Sequence, residues 1–469
     1  MKTRSEARDL SKKELEYLYS RFLLSTGVSL DTRSLRAGDL FFALPGKNYD
    51  GSSFVGEAFS GGASYAIVGK TKGGYKIPKS DTRKILEVQD VLKTLQCLSA
   101  YHRKRYKRTL LAITGSQGKT TTKELIRAIL RKKYIVHATH GNQNNHIGVP
   151  LSLLGIYPQV EIAVLELGLS QIGDMGPLCE WTQPTHGLIT NIAPAHLEGF
   201  KSVSAIEKEK LMLYEDVCSR KGIFYLNTEE SSLRNILADS RTISFPTSSD
   251  SYAIKPVYPK DSLFIGYSLG GRVGKTNLFG AHQFQNIAAA ISVGLSMDVP
   301  QQDIMCAIED YVPRENRSEC IHIDDNIVIL DAYNANPSSM KSAIKSLASV
   351  HGSEKKVLIL GDMAELGSQT AKYHEDIGAT IYRIQEEHSI WESVLLCGKN
   401  MFHAYRPLEN LPWVSYFKDK AACMDHIKKK TWRNMLVLIK ASRFMELEDL
   451  LIPLGLKNPG SLKNFAESR

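Results

Sequence analysis

The segment Leu111 to Thr122, LAITGSQGKTTT, narrows the choice of fold more than any other stretch of the chain. An apolar, strand-like run leads into two glycines, then a lysine and threonines. The residues after it have helical spacing, with Leu125, Ile126, Ile129 and Leu130 on one face. Glycines let backbone N–H groups approach phosphate oxygens, and the first helical turn adds its unpaired donors and dipole. In such a cradle Lys119 neutralises the β- and γ-phosphates, and the Thr120 hydroxyl reaches a magnesium ion. A surface turn with a solvated lysine is the simpler alternative, and the strand–loop–helix order argues against it. The cradle comprises Gly115, Ser116, Gln117, Gly118, Lys119, Thr120 and Thr121. Its spacing is unusual. The common loop reads G-x-x-x-x-G-K-S/T, but Ile113 stands at the first glycine position, leaving Gly115-x-x-Gly118-Lys119-Thr120.

The rest of the chain alternates apolar strands with helices, the pattern of an α/β protein with mostly parallel sheets. At 469 residues it exceeds one ordinary core. Short strands are predicted at Leu40–Leu44 and Tyr65–Val68, followed by a Gly- and Pro-bearing loop over Thr71–Asp81 and a helix over Val91–Tyr101. The middle segment has strands at Leu110–Thr114, Ile162–Leu167 and Gly187–Asn191. A second α/β unit after Pro313 has strands at Ile327–Asp331, Val357–Leu360, Val394–Cys397 and Met435–Lys440. Three units follow: residues 1–85, 86–312 and 313–469. The polar tail Lys457–Arg469 is expected to be loose.

Composition narrows the compartment more than the partner. No stretch reaches the roughly 18 apolar residues of a membrane span, and Met1–Leu10 lacks an apolar signal core. The seven cysteines are scattered without CxxC spacing, which reads as reduced thiols in a cytoplasmic protein. A net charge of +9 suits nucleic acid and an anionic small molecule equally well. The basic clusters Arg103–Arg108 and Lys428–Lys430 lack the interleaved aromatics of a nucleic-acid-binding pattern, so no nucleic acid is expected.

Several segments, in order and over nearly the whole chain, carry a resemblance. Besides the shortened phosphate loop they are DTRSLRAGDLFFALPGKNYDG (Asp31–Gly51), NQNNHIGVPLSLL (Asn142–Leu154), ELGLSQIGDM with Glu166, TNIAPAHLEGF with His196, and AIEKEKLMLY with Lys210. LFGAHQFQNIAAAIS, DAYNANPSSM (Asp331–Met340), GDMAELG (Gly361–Gly367) and LIKASRFMELE complete the set. Together they resemble the Mur ligases, whose shortened loop is shared by folylpolyglutamate synthase. DAYNANPSSM resembles the branch that adds D-alanyl-D-alanine to UDP-N-acetylmuramoyl-tripeptide, and the DNPR-type motif of the branch adding the third residue is absent. Two departures stand out: Gln283 where the family usually has Asn, and Ala441 where it has Gly.

The resemblance implies an N-terminal UDP-substrate-binding domain, a central ATP-binding domain and a C-terminal Rossmann-like ligase domain. It further implies an ATP-dependent, ADP-forming ligase that activates a carboxylate as an acyl phosphate and couples it to an amine. Implied metal ligands for two Mg²⁺ ions are Thr120, Glu166, His196 and a carbamylated Lys210, with Lys119, His196 and Lys210 catalytic. Asn286, Arg317, Asp331 and Tyr333 would hold the nucleotide. Arg33, Ser34, Asn144, Asn145, Asn334 and Asn336 would line the substrate path, with His196 lying close to Glu198. Read without the resemblance, His196 is as well a loop histidine and Lys210 part of a solvated helix face. The third peptide residue, meso-diaminopimelate or lysine, stays open. A monomer is expected. A nucleotide-dependent switch ATPase is the alternative from another class.

Overall fold

The computed structural model describes residues 10–46, 50–70, 83–233, 241–246, 253–259, 262–352 and 355–456. The expected loop over Thr71–Asp81 and the tail Lys457–Arg469 lie outside the described residues, apart from their flanks.

The described residues form four sheets. In the first, Val28–Ser29, Leu40–Phe42, Tyr65–Gly69 and Ile85–Val88 run parallel in sequence order. The helix Lys12–Leu23 begins at a capping box in which Ser11 and Glu14 satisfy each other's backbone N–H groups, and it buries Leu18, Tyr19 and Phe22. The helix Val91–Arg103 starts where the Asp90 side chain accepts the Lys93 N–H. It buries Val91, Leu95 and Leu98 in the same core as Leu40, Phe42 and Ile67.

The central sheet has six parallel strands. Thr109–Thr114 sits inside it, flanked by Ile162–Glu166 on one side and His186–Ile189 on the other. Beyond the first neighbour lies Val136–Ala138; beyond the second lie Ile223–Asn227 and Thr242–Phe245. The chain thus leaves Thr109–Thr114 towards both halves of the sheet, which opens a crevice at its carboxyl edge. The strands are buried on both faces, so they read as continuous apolar runs without alternation. Two expected strands are shorter than their apolar runs: Leu167 and Asn191 already belong to loops at that edge. A small antiparallel sheet, Ile254–Val257, Gly266–Leu269 and Arg272–Gly274, went unread in the sequence.

The fourth sheet carries Asn326–Asp331, Met435–Lys440, Lys355–Gly361, Trp391–Cys397 and Val414–Phe417 in parallel, with Glu319–Ile323 antiparallel at one edge. One apolar cluster joins Leu197 and Phe200 of the middle segment to Met363 and Leu366 of the last, so these two α/β bodies meet through packed side chains. Among the described residues no cysteine forms a disulfide. Among the described residues no helix is long and apolar enough to cross a membrane.

Candidate active site

The phosphate loop leads into a helix whose first N–H groups carry no side-chain cap. Gly118 has φ +77° and is the N-cap of the helix Lys119–Leu130, with no side chain bonded to the helix's first N–H groups. A Cβ there would lie 2.3 Å from Asn286 Oδ1; one on Gly115 (φ +151°) would lie 1.8 Å from Thr190 Oγ1. The loop is stitched to the end of the neighbouring strand. Ser116 N–H donates to Asn191 O (3.0 Å), Ser116 Oγ to Ala193 O (2.8 Å), and Thr190 Oγ1 to Gln117 O (2.6 Å). Lys119 Nζ donates to Gly115 O at 2.7 Å. Burial holds the Lys119 ammonium below the ordinary lysine range, Glu166 opposes that shift, and Arg317 adds to it.

Beside the lysine, Glu166 ends its strand with 2% exposure. Its two carboxylate oxygens accept from Thr120 Oγ1 and Asn144 Nδ2, each at 2.7 Å. Its N–H donates to Thr139 Oγ1 at 2.9 Å, and the buried Lys123 Nζ donates to Thr139 O at 2.6 Å. A hydroxyl and a carboxylate side by side are the oxygen donors a hard cation takes. Among the described residues no cluster of three His, Cys, Asp or Glu side chains could hold a metal ion. The oxygens of Thr120 and Glu166 fit a magnesium ion whose shell is completed by waters and phosphate oxygens, as that ion prefers.

His196 lies on the same edge in a left-handed conformation (φ +51°). It does not pair with Glu198, its neighbour in sequence. Its Nδ1 is bonded to Glu365 Oε2, on the loop after the strand Lys355–Gly361. Lys210, on the helix Val203–Ser219, is 4% exposed, and among the described residues its ammonium has no hydrogen-bond acceptor. Burial, then the nearby charge of Lys119, push it well below the ordinary lysine value, with Glu209 opposing. Glu209 spends its carboxylate on the N–H groups of Gly173 and Met175 (3.0 and 2.8 Å). Lys210 is thus no member of a solvated helix face.

The opposite wall comes from the last α/β body. The Arg317 guanidinium stacks on the Tyr333 ring (3.5 Å to the centroid), and its buried Nε has no hydrogen-bond partner among the described residues. Asp331 is held by Lys440 Nζ (2.7 Å) and by the Ser318 N–H (3.2 Å). Asn336 caps the helix Pro337–Ser349, its Oδ1 accepting the Ser339 N–H at 2.8 Å, and the Asn334 amide oxygen accepts from Ala335 N–H (2.9 Å). Asn286 accepts from Thr122 Oγ1 (3.1 Å) and donates to Gln283 Oε1 (2.7 Å), so Gln283 serves in this chain to orient that asparagine.

These walls enclose a cleft of about 1010 Å³. Ser116 to Thr121, Asn144, Asn145, Glu166, His196, Asn286, Arg317, Asp331, Tyr333, Asn334 and Asn336 line it. Gly115 and Lys210 are not among the lining residues; Gly115 O accepts from Lys119 Nζ, and Lys210 lies near enough to Lys119 for their charges to interact. Arg33 and Ser34 do not reach it: they sit on an exposed turn where Arg33 pairs with Asp31 at 2.6 Å. Sequence reasoning missed Lys440, Glu365 and Asn191 as cleft residues. Lys440 and Glu365 stand in segments that carried the resemblance, LIKASRFMELE and GDMAELG, but neither segment says which side chain points inwards.

A phosphate loop at the switch point of a parallel sheet, faced by a second α/β body across the cleft, has clear counterparts. Three consecutive family models match: "Mur ligase family, catalytic domain" over residues 25–103, "Mur ligase middle domain" over 113–294, and "Mur ligase, glutamate ligase domain" over 316–443. This chain belongs to the Mur ligase family. Within it, the chain is 32% identical over 433 residues to the UDP-N-acetylmuramoyl-tripeptide–D-alanyl-D-alanine ligase of Bacillus subtilis, covering 91% of this chain and 92% of that one. The Escherichia coli enzyme of the same name is 29% identical over 435 residues, covering 90% and 92%. A crystal structure of MurF from Acinetobacter baumannii matches at a TM-score of 0.80 and 26% identity, over 96% of this chain and 99% of that one.

Proposed function

We propose that this chain joins D-alanyl-D-alanine to UDP-N-acetylmuramoyl-tripeptide at the expense of ATP, yielding ADP, phosphate and the UDP-linked pentapeptide of peptidoglycan synthesis. The observation that carries it is the cleft itself. Lys119, Thr120 and Glu166 stand on one wall and Arg317, Asp331 and Tyr333 on the other, within a chain like the Bacillus subtilis ligase over 91% of its length. A carboxylate is a poor electrophile. Transfer of the γ-phosphoryl group to it makes an acyl phosphate, which the amine attacks; the tetrahedral intermediate then expels phosphate.

In this reading the free N–H groups of Gly118 to Thr121 cradle phosphate oxygens, and Lys119 offsets their charge. Magnesium ions, when bound, neutralise charge on the transferred group. Thr120, Glu166 and His196 would hold them, with Lys210 as a carbamate. A carbamate forms when a neutral amine bonds to carbon dioxide and loses a proton. The depressed affinity of Lys210 for its proton supplies the neutral amine. Asn286, Arg317, Asp331 and Tyr333 would hold the nucleotide, and Asn144, Asn145, Asn334 and Asn336 the substrates. Arg33 and Ser34, outside the cleft, would meet the distant uridine end. The sequence division 1–85, 86–312 and 313–469 is kept with its first boundary moved past Arg103, because Ile85–Val88 and Val91–Arg103 belong to the first sheet and its core; the chain would act as a monomer in the cytoplasm.

Phosphate release from ATP with UDP-N-acetylmuramoyl-tripeptide, with and without D-alanyl-D-alanine, tests the proposal. Release that needs both, with a pentapeptide product by mass, is expected. Dependence on a different amine would keep the ligase chemistry and move the acceptor. Release that needs neither substrate would favour a switch ATPase.

A further inference from the structure

The contact between His196 and Glu365 joins two bodies at the cleft. His196 belongs to the loop after the strand His186–Ile189; Glu365 belongs to the loop after Lys355–Gly361, 169 positions later. A second bond runs alongside, Glu198 N–H to Glu365 O at 3.1 Å. Nearby, a Cβ on Gly367 would come within 3.5 Å of Glu198 Cα. Both His196 (φ +51°) and Glu365 (φ +61°) adopt a left-handed backbone that non-glycine residues seldom take. The backbone on each side is therefore shaped to aim these two side chains at each other.

The Glu365 loop is held rigidly. Met363 N–H donates to the buried His374 Nε2 at 3.1 Å, Ala364 N–H to Ser442 Oγ at 2.9 Å, and Ser442 N–H to Asp362 O at 3.1 Å. With His196 Nδ1 engaged by Glu365, Nε2 is the ring nitrogen left without a partner among the described residues, and both residues line the cleft. A carboxylate on one imidazole nitrogen fixes the tautomer and ring plane, which is how proteins orient a histidine that ligates through the other.

We propose that Glu365 is a positioning residue. Reaching from the C-terminal body, it sets the His196 ring with Nε2 towards the metal–nucleotide site, so that this site is complete only when the two bodies are closed. The inference rests on reading the cleft as the ligase's ATP site. It makes the metal site depend on a residue that would not itself touch the metal, acting only through His196.

The test is Mn²⁺ binding, read by electron paramagnetic resonance in the presence of a non-hydrolysable ATP analogue, on wild type, Glu365→Ala and Glu365→Gln. Binding of the analogue without metal is measured alongside. The alanine variant should lose about tenfold or more in Mn²⁺ affinity. The glutamine variant, whose amide oxygen can still accept from the imidazole, should fall between it and wild type. Metal-free analogue binding should change little. Small-angle scattering of the loaded alanine variant should show a wider particle than loaded wild type. Wild-type Mn²⁺ affinity in the alanine variant would overturn the proposal, as would equal losses of metal and metal-free analogue binding, which mean a collapsed cleft. If the alanine variant does not fold, the glutamine variant decides on the same two criteria. Wild type that binds no Mn²⁺ with the analogue would sink the reading of the cleft itself, a result distinct from either.

Discussion

Lys210 shows most directly what burial does to a single side chain. Its ammonium is nearly enclosed, has no acceptor among the described residues, and is repelled by Lys119. The unfolded chain therefore binds a proton that the folded chain releases, throughout the interval between the lowered value and 10.5. Stability should rise with pH across that interval. In carbon-dioxide-free buffer a Lys210→Met protein should lack this slope. Its advantage over wild type should be largest at the low end of the interval and vanish above 10.5. Denaturation midpoints at a series of pH values read this directly, and parallel curves would refute it. Lys210→Ala should nearly abolish ligation, with partial recovery on adding a short carboxylate; full activity without one would remove Lys210 from the mechanism. At the other departure from the family pattern, Ala441 is fully buried, and a Cβ on Gly361 would lie 2.7 Å from its own Cβ. The close approach occurs at Gly361, so the extra methyl of Ala441 has room.

At the scale of elements, two helices begin at the cleft in opposite ways. Pro337–Ser349 has a complete cap: Asn336 accepts the Ser339 N–H, Ser339 Oγ accepts the Asn336 N–H, and a proline stands at the first helical position. Lys119–Leu130 has a left-handed glycine and no side-chain cap. The first helix is finished without a ligand. The second keeps donors that a phosphate can take. Asn336→Ala should cost about 1 kcal/mol of stability by urea denaturation, whatever it does to activity. A loss within a few tenths of zero would mean that the cap contributes nothing there. Helix Lys119–Leu130 nevertheless holds its place, because Leu125, Ile126, Ile129 and Leu130 are fully buried against Ile287, Ile291 and Ile304.

For the whole molecule, the cleft is a product of two bodies, and polar bridges cross it. They include Gln117 Nε2 to Ser338 Oγ at 3.3 Å and the half-exposed His196–Glu365 pair. Exposed polar contacts of this kind contribute little on their own, although Leu197, Phe200, Met363 and Leu366 add apolar packing beside them. Bound substrates that touch both walls should therefore decide how far the bodies close, and closure keeps water from the acyl phosphate. Small-angle scattering should show a more compact particle with UDP-N-acetylmuramoyl-tripeptide, D-alanyl-D-alanine and an ATP analogue than without them. Equal radii in both states would exclude substrate-driven closure.

The loop from Gly115 to Thr120 was legible in the sequence because its chemistry is local: a strand, glycines at set spacing and a helix start fit within a dozen residues. The long parallel strands were legible for a similar reason, since burial on both faces leaves an unbroken apolar run. The small antiparallel sheet of Ile254–Val257, Gly266–Leu269 and Arg272–Gly274 was not, because its short strands carry no such run. The roles of single side chains were the least legible. Whether His196 faces Glu198 or Glu365, whether Lys210 is solvated or enclosed, and that Lys440 holds Asp331 all depend on contacts between residues far apart in the chain. Spacing and apolar pattern determine which elements form and where a phosphate can sit. Burial and partner choice arise only when the sheets and their helices come together, because desolvation and pairing are properties of the packed interior.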